Sequence, residues 1–568
     1  CCGEHRLPDG LPPLLERIYL NRGIDSGEQL DLALCQLLRT EALGGMQKAT
    51  ALLWQAIEEE RRILVVGDFD ADGATSSALA IRALRAMGAR DIHYLVPNRF
   101  DFGYGLTAPL VEVARELDPW LIITVDNGIS STEGVATARE LGIQVLVTDH
   151  HLPPEELPAA HAIVNPNLQD DAFPSKALAG VGVICYVMAA LRSRLRELGW
   201  FQSRGIAEPN LAEYLDLVAL GTVADVVPLD HNNRILVQNG LQRIRSGRCC
   251  AGIRALLEVS GRDLETVTSS DLGFFAGPRL NAAGRLEDMS VGIECLLTDD
   301  PQVARELAMQ LDSLNRQRRE IESTMKEQAL AALEPLQLAS ETLPAGICLF
   351  DDSWHQGVVG IVASRVKERY HRPVIVFAGE NDDMLKGSAR SIQGVHIRDL
   401  LDAIATEHPG LIRKFGGHAM AAGLSLPRAG LAEFRTLFDR YVRMQVDEQQ
   451  LRGCMLSDGP LAKEELTIDQ ARLLRDAGPW GQGFPEPLFD DRFIVLNQRI
   501  VGGNHLKLQL APEKFPELRL EAIAFNQAEE HQLVTGQLLQ AVYRLDINAW
   551  KGRESLQLIL QAIIEQQP

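Results

Sequence analysis

The chain has none of the sequence features of a membrane protein or of a disulfide-rich secreted protein. Within its 568 residues, no apolar run approaches the roughly 20 residues that a membrane-spanning helix requires. The nine cysteines form no CxxC pair and no spacing typical of a zinc site, which favours reduced thiols and a cytoplasmic protein. The start, Cys1-Cys2 without Met, has no basic segment, apolar core or cleavage site, so we expect a truncated or processed N-terminus.

Positive charge and aromatic residues are also scarce. Lys and Arg number 56 against 77 Asp and Glu, the formal net charge is −21, and aromatics make up 5% of the residues. This charge repels nucleic acid and anionic membranes at long range, so a polyanionic substrate would need local basic grooves and bound metal. The length suits roughly three or four domains, and the sequence shows no internal repeat or low-complexity segment.

What the sequence does contain is a dense run of carboxylates, "GDFDADG", directly after the apolar run Ile63 to Val66. Its members are Asp68, Asp70 and Asp72. Such close like charges repel and raise one another's pKa, whereas Mg²⁺ or Mn²⁺ would turn the repulsion into coordination. The alternative is a solvated turn, since Asp and Gly are common turn residues.

Short apolar runs alternate with helical patterns between Arg62 and about Val164, which predicts an α/β lobe with a doubly wound parallel sheet. The strand candidates begin at Ile63, Ile92, Leu121 and Gln144, and polar clusters follow all four. Parallel strands bring their carboxyl ends to one edge of a sheet, where open α/β sheets build their sites. The residues expected to converge there are Asp68, Asp70, Asp72, Asp126, Asp149, His150 and His151.

The motif order resembles that of a known family, the DHH phosphoesterases, named for the motif seen here as Asp149-His150-His151. Within that family the chain is similar to the single-stranded-DNA-specific exonucleases. The resemblance runs from about Leu11 to the C-terminus. It is carried by "VVGDFDADGATS", "YLVPNRF", "ITVDNGIS", "VTDHHLP", "ALAGVGV", "DLVALGTVADVVPL", "GPRLNAAGR", "WHQGVVGIVASR", "KGSARSI", "KFGGHAMAAGL" and "PWGQGFPEPLF".

The resemblance implies a site with two divalent ions, Mg²⁺ or Mn²⁺, that activate a bridging water. By motif position, Asp70 and Asp72 each face one ion, Asp126 bridges them, and His150 and Asp225 complete the ligand set of the second ion. His151 then faces the scissile phosphate, while Asp68 lies on an ion or directly behind its ligands, and Asp149 orients its neighbours. Imidazole among the ligands favours Mn²⁺. Asp225 could instead be an exposed turn residue before Pro228, and the histidines could be packed or surface residues.

Beyond this lobe, the pattern from Pro301 to Leu336 predicts one long connecting helix, followed by a second α/β lobe, the family's DHHA1 lobe. The GGH motif there is a substrate-binding element in the family, although tight strand packing is the alternative. The resemblance implies a pocket for the 5′ end from Arg99, Arg279, Ser388 and Arg390. The remaining substrate-binding candidates in the matching motifs are Asn281, Arg285, His355, Gly416, Gly417 and His418.

From about Asp458 onward, short alternating strands predict a small β-barrel of OB type, a fold that binds single strands with basic and aromatic side chains. The candidates for that role are Lys507, Tyr543, Arg544, Trp550 and Lys551, with a purely structural barrel as the alternative. The predicted division is an N-terminal helical segment (1–50), a catalytic lobe (51–298), a connecting helix (299–340), a substrate-binding lobe (341–450) and an OB-like domain (451–568).

The family resemblance therefore implies a metal-dependent exonuclease that degrades single-stranded DNA 5′→3′ to mononucleotides in DNA repair, recombination and mismatch repair. Implied partners are a RecQ-type helicase, single-stranded DNA-binding protein and recombination or mismatch-repair factors, and we expect a monomer. One rival is a phosphodiesterase for short oligonucleotides or cyclic dinucleotides, but those relatives lack the C-terminal barrel. The other is a catalytically silent replication scaffold, whose signature would be lost carboxylates, and none is lost.

Overall fold

The computed structural model describes residues 7–98, 102–339, 343–447, 449–528, 531–550 and 552–565. The chain forms two compact units. Unit 1 comprises the residues up to Asn281, Met289–Met309 and those from Leu456 onward, and unit 2 comprises Ala282–Asp288 and Gln310–Met455. Within the described ranges, no helix combines the length and the apolar character needed to cross a membrane.

A five-stranded, fully parallel sheet is the centre of unit 1. Its strands are β1 (Ile63–Gly67), β2 (Ile92–Leu95), β3 (Leu121–Val125), β4 (Gln144–Thr148) and β5 (Ala162–Val164), in the order β2-β1-β3-β4-β5. β1 and β3 are buried along their whole length, as expected for strands that helices cover on both faces. On one face, alternate strand residues such as Val66 and Val147 pack against Leu110 and Val135.

The helices of this unit connect and cover the strands. They are α1 (Pro13–Asn21), α2 (Met46–Glu58), α3 (Ala71–Ala86), α4 (Ala108–Arg115), α5 (Thr132–Glu140), α6 (Gly180–Glu197), α7 (Trp200–Arg204), α8 (Leu215–Ala224), α9 (His231–Arg245), α10 (Ala251–Val259), α11 (Ser269–Asp271), α12 (Gly277–Leu286) and α13 (Ser290–Leu297). A π-helical turn, Leu272–Ala276, precedes α12. The predicted long helix is α14 (Pro301–Ala339), and both α12 and α14 continue from unit 1 into unit 2.

Unit 2 is built on a mixed sheet in the order β6-β7-β8-β10-β9. Its strands are β6 (Ile347–Phe350), β7 (Val374–Gly379), β8 (Met384–Arg390), β9 (Lys414–Gly417) and β10 (Ala421–Pro427), and its helices are α15 (Val359–Tyr370), α16 (Ile397–Glu407) and α17 (Leu431–Gln445). β6 and β7 are parallel and the other pairs are antiparallel. Aromatic residues such as Phe377, Phe434 and Phe438 lie in an apolar cluster of this unit.

The C-terminal strands close into a barrel in the order β11-β12-β13-β15-β14. They are β11 (Phe489–Val501), β12 (His505–Pro512), β13 (Leu520–Ala524), β14 (Leu538–Trp550) and β15 (Arg553–Glu565), and α18 (Ile468–Asp476) precedes them. This order is that of an OB barrel, so the predicted fold class is confirmed. The barrel belongs to the same compact unit as the parallel sheet. The five-segment division of the chain stays a prediction.

Candidate metal centre and phosphate contacts

The carboxylates of "GDFDADG" lie where β1 ends and α3 begins. Asp68 follows the last strand residue, is 4% exposed, and binds the Phe69 amide with its own Oδ1 at 2.7 Å. Asp70 is the N-cap of α3 and accepts a hydrogen bond from the Gly73 amide at 2.9 Å. Asp72 lies in the first turn of α3 and is buried. The strand-to-helix turn therefore directs several carboxylates to one edge of the sheet.

Asp126 directly follows β3, with a φ of 62°. Few residues other than glycine adopt this left-handed conformation, and they hold it where surrounding contacts fix it. Those contacts are present: the Asp126 amide donates to Thr148 O at 3.1 Å, and the Asn127 side-chain amide donates to Val66 O at 3.0 Å and to Val125 O at 2.9 Å. Neighbouring strands thus hold the turn that carries Asp126.

Asp149 follows β4, is fully buried and forms hydrogen bonds with the two histidines that come after it. It accepts hydrogen bonds from the amides of His150 and His151 and, at 2.7 Å, from His151 Nδ1. Burial opposes ionisation, but the hydrogen bond and charge of His151 outweigh it and lower the pKa of Asp149. The same partner raises the pKa of His151 to about 9 against the effect of burial. This geometry lets Asp149 orient His151, and its role stays a prediction.

His150 joins the two halves of the cluster. Its Nε2 lies 3.1 Å from Asp126 Oδ1 and 3.5 Å from Asp225 Oδ2. Asp225 is the C-cap of α8, where the helix end brings it back to the sheet edge. Its side chain is 21% exposed, so it is not the fully exposed turn residue that was the alternative. Burial and the nearby Asp70 raise the pKa of Asp225 to about 7.

The electrostatics of the cluster are those of a site that needs a cation. Burial and the charges of Asp225 and Asp70 raise the pKa of Asp72 well above its ordinary value, although two backbone amides oppose the rise. Burial and the charges of Asp72 and Asp70 do the same to the pKa of Asp126. Bringing these carboxylates together costs free energy that a divalent cation would offset.

Among the residues that the structure describes, three groups of side chains could each hold a metal ion, with ligand atoms within 4.8 Å of one another: Asp68, Asp70 and Asp126; Asp72, His150 and Asp225; Asp126, His150 and His151. Asp126 and His150 each belong to two groups. Oxygen donors with one or two imidazoles suit Mg²⁺ and Mn²⁺, so the residues present fit the implied ions. The structure brings together every metal-ligand candidate of the sequence analysis. Their individual roles stay predictions.

Further residues support this cluster without having been predicted to do so. The amides of Gly180 and Val181, at the start of α6, donate to Asp72 Oδ2 at 2.6 Å and Oδ1 at 2.9 Å. Gly180 also has no room for a side chain, because a Cβ there would lie 2.5 Å from Asp126 Cβ. Tyr104 Oη lies 3.3 Å from Asp126 O and 3.3 Å from His151 Nδ1. The sequence pointed to these residues only through their motifs, because Gly180 and Val181 lie in "ALAGVGV" and Tyr104 follows "PNRF".

Asn281 and Arg279, both predicted substrate contacts, make structural contacts within unit 1. Asn281 Oδ1 accepts a hydrogen bond from the Ala71 amide at 2.8 Å, at the first residue of α3. Arg279 is 6% exposed, and its Nη1 donates to Phe275 O at 2.7 Å. Asn281 thus supports the turn that carries Asp70 and Asp72. Arg99, the other candidate from this half of the chain, lies outside the described residues.

Unit 2 contains a second group of predicted residues. Arg390 Nη1 donates to Ser388 Oγ at 2.9 Å, and both lie on β8 beside the start of α15, where a Cβ on Gly360 would meet each of them at 2.9 Å. Burial lowers the pKa of Arg390, which still leaves it a strong cation. Arg285 Nη1 donates to Gly357 O at 3.1 Å, and the Gly357 amide donates to His355 Nδ1 at 3.0 Å. An arginine, a hydroxyl and a helix N-terminus are suitable ligands for a phosphate.

The GGH motif ends the edge strand β9. Gly416 and His418 are exposed, and Gly417 has a φ of 144° and packs closely on Ala422. A Cβ on Gly416 would meet no atom within 4 Å. Gly417 therefore fits the tight-packing alternative, whereas Gly416 and His418 are accessible to a substrate.

The barrel corrects the predicted single-strand contacts. Tyr543 is fully buried and packs against Phe489 and Phe493, so the prediction that it stacks on bases is wrong. Arg544 forms an ion pair with Glu486, and Lys507 Nζ lies 3.6 Å from Glu521. The Trp550 side chain and Lys551 lie outside the described residues. Sequence alternation alone did not distinguish the inner face of the barrel from the outer one.

Comparison with known proteins accounts for most of the chain. The profile described as "DHH family, N-terminal domain" matches residues 62–222. The "DHHA1 domain" profile matches residues 341–444, and the "RecJ OB domain" profile matches residues 457–562. Each matched range overlaps one of the three sheets described above.

Curated relatives and solved structures match over nearly the full length. The single-stranded-DNA-specific exonuclease RecJ of Dickeya dadantii is 57% identical over 98% of this chain and 97% of its own length. The crystal structure of RecJ from Thermus thermophilus in complex with Mn²⁺ has a TM-score of 0.78 and 31% identity, and covers 98% of this chain and 76% of that one. The Mg²⁺ complex of the same protein has a TM-score of 0.73 and 30% identity, and covers 98% and 75%.

Proposed function

This chain belongs to the RecJ family of single-stranded-DNA-specific exonucleases, and from that premise we propose that it hydrolyses single strands from the 5′ end with two divalent ions. The single observation that carries the proposal is the convergence of six carboxylate and imidazole side chains at the carboxyl ends of β1, β3 and β4, together with Asp225 of α8. A catalytically silent scaffold has no need of such a costly cluster, because buried like charges destabilise the fold.

Mg²⁺ or Mn²⁺ ions are the cofactors that this cluster would hold. When bound, a pair of such ions supplies an activated water and neutralises charge on the phosphodiester. We assign one ion to the group of Asp68, Asp70 and Asp126 and the other to the group of Asp72, His150 and Asp225. Asp126 contacts His150 across the two groups, with Oδ1 3.1 Å from Nε2, and is the residue that we expect to be shared.

The protein's own residues hold the ligands in place and approach the substrate. Asp149 binds the ring of His151 through Nδ1, and we propose that the same ring, whose Nε2 lies 3.4 Å from Tyr104 Oη, faces the scissile phosphate. Asn281 fixes the first residue of α3, and the amides of α6 fix Asp72. These hydrogen bonds oppose the mutual repulsion of the carboxylates and so hold the candidate ligand oxygens close together.

The 5′ polarity that we propose rests on candidate phosphate-binding residues of unit 2. We propose that Ser388 and Arg390, beside the N-terminus of α15, bind the terminal phosphate, and that Arg285 and His355 extend this surface. The exposed Gly416 and His418 are further candidates for contacts with the strand. An end-binding pocket would also select single strands if it is too narrow for a duplex.

The cellular role follows from the family alone. We propose that the enzyme acts in the cytoplasm as a monomer, releases mononucleotides, and functions in DNA repair, recombination and mismatch repair. Its substrate would come from a RecQ-type helicase that unwinds ends, with single-stranded DNA-binding protein on the product strand. Recombination and mismatch-repair factors are the other proposed partners.

A product time course on two otherwise identical single strands, labelled at the 5′ or the 3′ end, tests this function. With Mg²⁺ or Mn²⁺ we expect immediate release of labelled mononucleotide from the 5′-labelled strand only, no release in EDTA, and no attack on a blunt duplex. Early release from the 3′ label would refute the polarity. Binding of the strand without cleavage in either metal would refute the activity and favour the scaffold.

A further inference from the structure

The motif "PWGQGFPEPLF" has no part in the chemistry proposed above, yet it contacts the segment that follows Asp225. Between these residues the Leu229 amide donates to Gln482 O at 2.7 Å. Gly483, at a φ of +71°, brings its Cα so close to Pro228 that a Cβ would lie 3.2 Å from Pro228 Cβ. We call Trp480–Phe484 the WGQGF turn. Both sides of this contact belong to unit 1.

The WGQGF turn is itself firmly held. Gly481 and Phe484 exchange backbone hydrogen bonds of 2.9 and 3.1 Å, which close the turn. The rings of Trp480 and Phe484 stack at 5.1 Å, and Tyr19 of α1 stacks on both. The buried Arg234 of α9 lies 4.4 Å from the Phe484 ring centroid. These contacts fix the WGQGF turn independently of Pro228 and Leu229, so the turn can support the segment that contains them.

The supported segment needs such a support. Val226, the residue after Asp225, has a φ of 63°, a conformation that is strained for a β-branched side chain. The residue is 61% exposed, so packing of its side chain does little to offset the strain. Strain of this kind persists only where the chain is fixed on both sides. Helix α8 fixes the side before Asp225, and the bonds of Pro228 and Leu229 fix the side after it.

We propose that the WGQGF turn is a positioning element of the metal centre, which holds Val226 in its strained conformation and thereby aims the Asp225 carboxylate at His150. This inference rests on the proposed role of Asp225 as a metal ligand. Without the support, Val226 would relax towards a negative φ and rotate the preceding peptide. The carboxylate would then leave its position 3.5 Å from His150 Nε2.

The test variant is Gly483→Ala. It adds a Cβ against Pro228, and it also strains the turn because Gly483 has a positive φ. Gly261→Ala is the matched control, because Gly261 has the same φ of +71° and open space around it. Mn²⁺ binding to the full-length protein, measured by calorimetry without DNA, is the readout. We expect Gly483→Ala to weaken the binding of one ion by roughly tenfold, as loss of contacts behind the ligands commonly does, and Gly261→Ala to leave it unchanged.

Rescue separates positioning from general destabilisation. Val226→Gly removes the strain, so in the Gly483→Ala background it should restore most of the Mn²⁺ affinity, whereas a loss through general loosening would not be recovered. If Gly483→Ala does not fold, Phe484→Leu weakens the support by removing the ring contacts and should lower the affinity in the same direction. An affinity equal to that of the control, or no rescue, would overturn the inference.

Asp225→Asn distinguishes failure of this inference from failure of the proposed function. If this variant leaves Mn²⁺ binding unchanged, Asp225 is not a ligand and the proposed metal role is wrong. If it weakens binding while Gly483→Ala and Phe484→Leu do not, the metal role stands and the positioning role of the WGQGF turn is wrong.

Discussion

Gly180→Ala should abolish most of the activity while it leaves the fold intact. The added Cβ would lie 2.5 Å from Asp126 Cβ and 2.7 Å from its Oδ1. Carbon atoms in contact are normally about 3.5–4.0 Å apart, so one of the two must move by about 1 Å. Gly180 is the first residue of α6, and its amide is held by a hydrogen bond to Asp72. We therefore expect Asp126 to take up part of the movement.

The magnitude follows from that displacement. A misplacement of about 1 Å in a catalytic constellation costs on the order of 100-fold in rate, or about 2.7 kcal/mol of transition-state stabilisation. Stability should change less, because replacing glycine with alanine restricts the unfolded chain, and this partly offsets the local crowding. We therefore expect kcat to fall about 100-fold, Mn²⁺ affinity to fall, and the thermal midpoint to change little.

The assay is steady-state release of mononucleotide from a single strand, with Mn²⁺ titrations and thermal unfolding on the same preparations. Gly182→Ala is the matched control in the same helix, since the nearest atom to its Cβ would be a side-chain atom of Leu178, at 3.0 Å, and not an atom of Asp126. The reasoning is refuted if both variants retain similar kcat, or if Gly180→Ala loses activity only in proportion to unfolded protein.

Further predictions concern the ligands, the end-binding pocket and pH. Asp126→Asn should abolish turnover but not binding of a labelled strand. The control Asp118→Asn changes an exposed aspartate with a similarly left-handed φ of 47° and should behave as wild type. Turnover by Asp126→Asn in saturating Mn²⁺ would contradict the shared role of Asp126. Arg390→Ala should reduce the preference for 5′-phosphorylated over 5′-hydroxyl strands in competition assays, and Arg398→Ala, exposed on α16, should not; an unchanged preference would place the end pocket elsewhere. The fold raises the pKa of Asp225 to about 7, so ionisation of this carboxylate destabilises the metal-free fold. The destabilisation is absent at low pH, grows as the pH rises towards 7 and is complete above that value. The rise in thermal midpoint on adding Mn²⁺ should thus be larger near pH 8 than near pH 6, and an equal rise at both would contradict this.

The alternation of strands and helices predicted the parallel sheet, and with it the edge where the candidate ligands meet. Asp68, Asp126 and Asp149 each follow a strand directly, so their convergence follows from the geometry of any parallel sheet. Asp225 was harder, because it follows a helix, and similarity to a family motif was the only guide to its place. The pattern of short strands also predicted the barrel, since period-two alternation is a local property of the chain.

Other features depend on contacts between residues far apart in the sequence, which no local pattern records. Alternation shows that a strand has two faces but not which one meets the barrel interior, and Tyr543 was assigned to the wrong face for that reason. Asn281 stays a predicted substrate contact, but only the packing of α12 shows that it also binds the start of α3. The close approach of Gly180 to Asp126, and of the WGQGF turn to Pro228, arise only when α6 and the linker to the barrel are packed in place.

The sequence by itself thus determined the elements, their order and the chemistry available at the strand ends, because these depend on local periodicity and residue type. Only the tertiary structure decided which candidate ligands lie within reach of one another and which residues hold them there. The reason is physical: burial, close approach and the pKa of a carboxylate depend on neighbours in space, and those neighbours come from segments that the chain brings together only on folding.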